Sequence, residues 1–221
     1  MKPYELLRIK SNQIEMMMLR GYNIEETEKR ILEMQPSEFS VYIKDLESPD
    51  TLGHPLNKLY KGKNLPDILV CYIKSEDGDV IKAASMAKYF KSLENIFPKD
   101  IIIVALDKVK AAKQLYREYL NYNITLFTSN ELKINPTKHK FSEVVIRKLT
   151  EEEKLTEFKK KSAESYLELS YDDAVVKFYG FVPGDLILCR RRNLDPASMI
   201  EDYEVKKMVS TNSIYILDTN I

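Results

Sequence analysis

The chain has 221 residues, of which 34 are Lys or Arg and 34 are Asp or Glu, so its formal net charge at pH 7 is +0. This balance excludes a strongly basic nucleic-acid binder as a description of the whole chain, although local basic patches stay open. The longest apolar run, Ile101–Leu106, is too short to cross a bilayer, and we see no secretory signal in the charged N-terminus. Cys71 and Cys189 have apolar neighbours, so we expect free, buried thiols.

Two helices are predicted before the first clear strand. Apolar residues at helical spacing indicate a helix over residues 4–20, which Gly21 is expected to end. An acidic start favours a second helix over Glu25–Met34, since carboxylates are stabilised at helix N-termini.

Residues 37–63 are less regular. We interpret Phe39, Tyr42 and Ile43 as a short strand, followed by a loop rich in Pro and Gly. His54 lies in this loop, and we expect it to be exposed and without a partner.

Strands and helices alternate through the middle of the chain. Apolar runs predict strands at Asp67–Ile73, Ile101–Leu106 and Ile124–Phe127, and the segments between them have helical spacing over Val80–Asn95 and Lys110–Tyr119. Such alternation is typical of parallel strands joined by crossover helices. We therefore expect an α/β domain with a central, mainly parallel sheet.

The C-terminal part has a different pattern, which predicts a small mixed α/β domain. Phe141–Leu149 and Tyr203–Val209 are predicted strands, and Thr150 with Glu153 forms a capping box before the amphipathic helix Glu151–Lys161. We expect an N-terminal domain at residues 1–135, a C-terminal domain at residues 136–210 and a tail at residues 211–221.

The stretch Ser170–Arg192 carries the densest local signal in the chain. Ser170 is a candidate N-cap, with Asp173 three residues later, for a short helix whose apolar face includes Val175 and Phe178. Gly180 is expected to end that helix, and Pro183-Gly184 predicts a turn before the strand Asp185–Cys189.

The sequence lacks the common phosphate-binding, dinucleotide-binding, serine-hydrolase and zinc-protease motifs. Neither His54 nor His139 has the neighbours of a catalytic triad. A metal-dependent nuclease is an alternative, in which Asp67 at a strand start helps to hold Mg²⁺. The next predicted strand, Ile101–Leu106, has no carboxylate or Lys for this chemistry, and Glu131–Lys133 matches only a common three-residue pattern. We expect no metal and no other cofactor.

Two basic clusters have open interpretations. Lys108, Lys110 and Lys113 follow a predicted strand, where they either bind phosphate at the start of the next helix or only contact solvent. The run Arg190–Arg192 either forms a nucleic-acid patch or pairs with an acidic partner surface.

Asp173–Gly180 followed by Pro183–Arg191 resembles the C-terminal domain of the fifth subunit shared by eukaryotic RNA polymerases I, II and III; in archaeal RNA polymerase, a similar domain stands alone as a small subunit. The family pattern is D-P-V-x-[RK]-x-x-G-x-x-x-G-[DQ]-V-[VI]-x-I-x-R, followed by a strand Y-x-T-Y-R-L-V, which Tyr203–Val209 matches in length and position. The resemblance is specific over residues 130–209 and looser before about residue 95. It also includes Tyr4, Arg20-Gly21-Tyr22, Ala112-Lys113-Gln114, Glu131-Leu132, Ile134-Asn135, Thr137, His139 and Thr150–Glu153.

The chain departs from the family pattern at several points. Ala174 replaces the family's Pro, Lys207 replaces Arg, and Ser142–Val145 replaces V-P-x-H. The loop Val109–Ala112 stands where the family has T-P-S-A, so Lys110 adds positive charge where DNA would pass. This divergence suggests a protist, or a large DNA virus that encodes its own polymerase.

The resemblance implies a non-catalytic subunit of a DNA-directed RNA polymerase. Its C-terminal assembly domain would dock on the largest subunit near neighbouring subunits, and its N-terminal jaw domain would contact the phosphates of downstream double-stranded DNA. The location would be nuclear if the chain is cellular, or the cytoplasmic virus factory and the virion if it is viral. A free-standing protein-interaction module is the other alternative.

The resemblance assigns two sets of contact residues. The candidates for DNA contact are Lys108, Lys110 and Lys113. The candidates for polymerase docking are Asp173, Val175, Phe178, Gly180, Pro183, Gly184, Asp185, Arg190, Arg191 and Lys207.

Overall fold

The computed structural model describes residues 1–46, 54–75, 80–82, 98–109, 122–138, 144–160, 167–170, 173–191 and 202–209. The fold class is α/β, as predicted. The chain divides into two compact units, Met1–Ile134 and Asn135–Ile221, beside the boundary expected at residues 135 and 136. In the described part of the chain, no helix is both long enough and apolar enough to span a membrane.

The N-terminal unit begins with three helices: α1 (Pro3–Leu19), α2 (Glu26–Ile31) and α3 (Pro36–Asp45). The first two confirm the predicted helices, although α2 ends before Met34. Buried apolar residues, among them Ile9, Ile14 and Met17, form the side of α1 that packs against the rest of the unit.

The predicted strand at Phe39, Tyr42 and Ile43 is wrong, because these residues belong to α3. Their spacing of three and four residues also fits one face of a helix. Pro36 occupies the first turn, where its missing N–H costs nothing, and the N–H of Gln35 donates to Glu38 Oε2 at 2.9 Å. Phe39 is fully buried, so packing stabilises the helical alternative.

The core of this unit is a sheet that contains, among the described residues, four strands in the order β1-β2-β4-β6. They are β1 (Lys58–Tyr60), β2 (Ile68–Ile73), β4 (Asp100–Ala105) and β6 (Asn123–Thr128). The last three run parallel and confirm the predicted strands, whereas β1 is antiparallel to β2. Every residue of β2 is buried, which explains its unbroken apolar sequence.

A small pair of parallel strands, β3 (Val80–Ile81) and β5 (Lys108–Val109), packs Ile81 and Val109 against this core. The helix predicted from Val80 is therefore wrong at its first three residues, since Lys82 is not helical either. The rest of that prediction, from residue 83 on, and the helix predicted over Lys110–Tyr119 lie outside the described residues. The unit ends with α4 (Ser129–Leu132).

The C-terminal unit contains a mixed sheet with the order β7-β9-β10-β8 in its described part. Its elements are a 3-10 turn (Pro136–Lys138), β7 (Val144–Lys148), α5 (Glu151–Lys160), β8 (Leu167–Ser170), α6 (Ala174–Tyr179), β9 (Leu186–Arg191) and β10 (Asp202–Val209). The predicted helix start is confirmed, since Thr150 N–H donates to Glu153 Oε2 at 2.9 Å and Glu153 N–H donates to Thr150 Oγ1 at 3.3 Å. The strands at β7, β9 and β10 are confirmed as well, and β8 was not predicted.

Candidate functional site

Asp173, rather than Ser170, is the N-cap of α6. Its Oδ1 accepts hydrogen bonds from the N–H groups of Val175 at 2.9 Å and Val176 at 3.1 Å. The predicted capping role of Ser170 is wrong, because this residue is the last of β8, where it is opposite Val209. The exposed carboxylate of Asp173 therefore satisfies two of the free N–H groups at the helix start.

Gly180 and Gly184, two of the candidates for polymerase docking, have backbone roles. Gly180 ends α6 in the left-handed conformation with φ of 72°. Gly184 has φ of 93° and follows Pro183 in a turn closed by a hydrogen bond from Asp185 N–H to the Val182 carbonyl, 3.1 Å. A turn of this kind needs Gly at its third position, so the predicted helix stop and turn are both confirmed.

Asp185 fixes the base of this turn. Its Oδ2 accepts from Val182 N–H at 2.8 Å and from Lys148 Nζ at 2.7 Å. The Lys148 ammonium also lies 6.0 Å from the centre of the Phe181 ring. The carboxylate is largely engaged within the unit, which orients the turn rather than leaving a free charge.

The docking candidates are not all on the surface. Phe178 is 1% exposed, so its ring supports the unit from inside and does not present a contact surface. Asp173, Pro183 and Gly184 are exposed, and Val175 is half-buried. Val182 was not among the predicted residues, yet half of its side chain is exposed at the turn. An apolar residue before an exposed Pro-Gly turn is the signal that could have identified it.

The strands that carry the basic candidates are in register with each other. Arg190 is opposite Tyr203, Arg191 is opposite Asp202, and Lys207 is opposite Leu186. Their side chains lie outside the part of the chain that the structure describes. Arg190 and Arg191 are also paired with Val145 and Val144 of β7 at the backbone level.

Of the DNA-contact candidates, only Lys108 lies within the described residues. It is exposed, and it belongs to the short strand β5 rather than to a loop that leads directly into a helix. The preceding residue, Asp107, holds the end of β2 in place, since its Oδ2 accepts from Ser75 N–H at 2.8 Å. Lys110 and Lys113 lie outside the described residues.

A buried polar cluster in the N-terminal unit was not predicted. Lys10 Nζ contacts Glu28 Oε1 at 2.9 Å and Gln13 Oε1 at 2.8 Å. Tyr60 OH donates to Glu28 Oε1 at 2.6 Å, and Tyr72 OH donates to Gln13 Oε1 at 3.1 Å. These contacts join α1 and α2 to strands β1 and β2.

Burial and neighbouring charges both shift the pKa values of the ionisable groups in this cluster. Burial lowers the pKa of Lys10, partly offset by Glu28. Burial also raises the pKa of Glu28, but Lys10, the Tyr60 hydroxyl and Lys58 outweigh it and leave that pKa below its ordinary value. The pKa values of Tyr60 and Tyr72 are raised, first by burial and then by Glu28. Because its members bond to one another inside the unit, we assign the cluster a structural role.

His54 is not the exposed, unpartnered residue that was expected. Its ring stacks on Tyr72 with centroids 5.6 Å apart, and its Nδ1 accepts from Leu56 N–H at 3.2 Å. Burial, with smaller contributions from Lys10 and Lys74, lowers its pKa to about 4.

The residue on which the nuclease alternative depends has a local role. Asp67 Oδ1 accepts from Gly62 N–H at 2.9 Å and so fixes the loop before β2. The neighbouring strand does begin with a carboxylate, contrary to expectation, because β4 starts at Asp100, whose Oδ1 accepts from Asn123 Nδ2 at 3.0 Å. Within the described ranges, no group of three or more His, Cys, Asp or Glu side chains could hold a metal ion. Cys71 and Cys189 form no disulfide and are buried, as predicted.

No protein-family model matches the chain, and a search of curated proteins finds no significant match.

Proposed function

We propose that the chain is a non-catalytic subunit of a multisubunit DNA-directed RNA polymerase. Its C-terminal unit would dock on the largest subunit, and its N-terminal unit would contact downstream double-stranded DNA. The observation that carries this proposal is the segment Asp173–Arg191, in which the residues shared with the fifth-subunit pattern have definite backbone roles.

Three of those roles are local and specific. Asp173 caps α6 through two N–H groups, Gly180 ends it at positive φ, and Gly184 completes the turn that leads into β9. A pattern with Asp, Gly and Gly at these positions therefore describes a helix, a turn and a strand in fixed relation. A chance match to residue types does not require each of them to have such a role, which supports the resemblance.

The exposed turn Val182-Pro183-Gly184 is the docking contact that this proposal favours. Asp185 and Lys148 hold its base, so the turn is ordered before any partner binds. Val182, the first residue of this turn, is half exposed and so offers an apolar surface to a partner. Ordered apolar groups bind with a smaller entropic cost than mobile ones.

The decisive experiment is purification of the tagged full-length chain from its native source under mild conditions. We expect the largest polymerase subunit to copurify in stoichiometric amount, and its absence would overturn the proposal. Val182→Glu should weaken this association by tenfold or more, because a buried charge at an interface is costly. Val41→Glu is the matched control, since Val41 is 58% exposed on α3 of the other unit.

A further inference from the structure

Residues His54–Asn57 form a turn just before β1. This turn lies beside the part of β2 that β1 does not pair with. Asn57 N–H donates to the His54 carbonyl at 2.9 Å, with Pro55 between them. The Asn57 Oδ1 then accepts from Tyr72 N–H at 2.6 Å. The pairing of β1 with β2 extends along β2 only as far as Val70. At Tyr72 the Asn57 side chain therefore accepts the hydrogen bond that a backbone carbonyl of a paired strand would otherwise accept.

His54 attaches this turn to the sheet. Its ring lies on Tyr72 at an interplanar angle of 24°, and Nδ1 serves as the acceptor for Leu56 N–H. An acceptor nitrogen must carry no proton. Protonation of Nδ1 would therefore place its N–H against the N–H of Leu56. The hydrogen bond between these two residues, which shapes the turn, would be lost.

The surroundings oppose a positive charge on this ring. Lys10 of α1 lies 5.7 Å from the centre of the same Tyr72 ring, and Lys74 follows β2. The carboxylate of the cluster, Glu28 of α2, is already bonded to Lys10 and to the Tyr60 hydroxyl. Segment 47–53, with Glu47 and Asp50, lies outside the described residues.

We propose that His54 is a proton-sensitive latch: acidification releases the 54–57 turn from β2 and opens the edge of the sheet at Tyr72. The latch is a property of the N-terminal unit and does not depend on the proposed polymerase role. The pKa of His54, lowered to about 4 from an ordinary value of 6.5, agrees with this geometry. Since the released imidazole regains its ordinary proton affinity, local opening becomes about 30-fold more favourable at pH 5 than at pH 7.5.

The test is amide hydrogen exchange of the full-length chain, followed by NMR at pH 5 and pH 7.5. Exchange rates are converted to protection factors to remove the intrinsic pH dependence. The protection of the Asn57 and Tyr72 amides should fall by about 30-fold at pH 5. The Ile102 amide, in the buried strand β4, should keep its protection and so separates local opening from global unfolding.

His54→Phe keeps an aromatic ring on Tyr72 but cannot be protonated, so the pH effect on the Tyr72 amide should disappear. His54→Gln is the second variant, in case the phenyl ring prevents folding. Three results would overturn the latch: a Tyr72 protection factor that does not change with pH, an equal loss at Ile102, or a pH effect that persists in the variants. Titration of the His54 ring near its ordinary pKa would also overturn it.

Discussion

Lys10 and Glu28 form an ion pair in the interior of the N-terminal unit, with 2.9 Å between Nζ and Oε1 and side chains 3% and 6% exposed. A charge in such a place costs several kcal/mol unless its partner and its hydrogen bonds are present. Lys10 and the Tyr60 hydroxyl bond to Oε1 of Glu28, whereas the buried Oε2 has no hydrogen-bond partner among the described residues and lies 3.6 Å from Lys58 Nζ. Removal of one member of the pair is still expected to cost more than the pair itself contributes.

Lys10→Met should therefore destabilise the chain by about 3–5 kcal/mol, because it leaves the Glu28 carboxylate buried without its cation. The double variant Lys10→Met with Glu28→Leu should lose less than Lys10→Met alone. Urea unfolding at pH 7 measures both. Lys29→Met is the control, since Lys29 pairs with Glu26 on the surface and should contribute at most about 1 kcal/mol. A double variant less stable than Lys10→Met would contradict this account.

Asp173→Ala should lower the stability of the C-terminal unit by about 1 kcal/mol, because two N–H groups at the start of α6 lose their acceptor. Asp173→Asn keeps a side-chain oxygen and should remain close to the parent chain. The two unfolding free energies are compared at neutral pH. Equal losses in both variants would show that the carboxylate acts through its charge. Copurification of the Asn variant then tells whether that charge also contributes to docking.

Stability in acid should depend on Glu153. Arg147 donates to both of its carboxylate oxygens, at 2.7 and 2.6 Å, and with the Thr150 N–H it lowers the pKa of Glu153 to about 2. Because the folded pKa lies below the ordinary 4.5, the stabilisation is complete above pH 4.5 and is lost as the pH falls toward 2.

Glu153→Gln isolates this effect, because Gln can still form the capping box but carries no charge. The melting temperature of the parent chain should exceed that of the variant at pH 6, and the difference should shrink at pH 3. Glu152→Gln, at the preceding and exposed position of α5, is the control. A difference that is the same at both pH values would contradict the assignment to the Arg147 pair.

Lys108→Ala should lower the affinity of the assembled polymerase for downstream DNA. If Lys108 neutralises one phosphate, the slope of log K against log salt should fall in magnitude by about 1. Binding is measured over a salt series with Lys44→Ala, an exposed residue of α3, as the control. An unchanged slope for Lys108→Ala would remove this lysine from the DNA contact. Copurification of the polymerase subunits is unaffected by that result.

Local backbone chemistry made several elements predictable. Gly180 and Gly184 permit positive φ without a steric cost and Pro183 restricts its own φ, so the helix stop and the turn could be predicted from the residues alone. β2 and, after Asp100, β4 are continuous apolar runs because their residues are buried whichever face of the sheet they are on, whereas Thr125 interrupts the apolar run of β6. In each case the information lies within a few consecutive residues.

Other features required residues that are distant in the chain. Ser170 and Asp173 are both good N-caps in isolation, and pairing of Ser170 with Val209 in the sheet decides between them. The pattern of Phe39, Tyr42 and Ile43 fits a helix as well as a strand, and burial of Phe39 decides that choice. The contact of Gln13 with Tyr72 spans 59 residues, so no local pattern contains the buried cluster.

The sequence alone was sufficient for the α/β class, the capped helix of the C-terminal unit and the resemblance to a polymerase subunit, because these depend on period, turn chemistry and short motifs. Folding decided which side chains face water: it buried Phe178, Lys10 and Glu28, left His54 half-buried and exposed Val182. Exposure depends on packing between segments far apart in the chain, and in this protein it separates structural residues from those available to a partner.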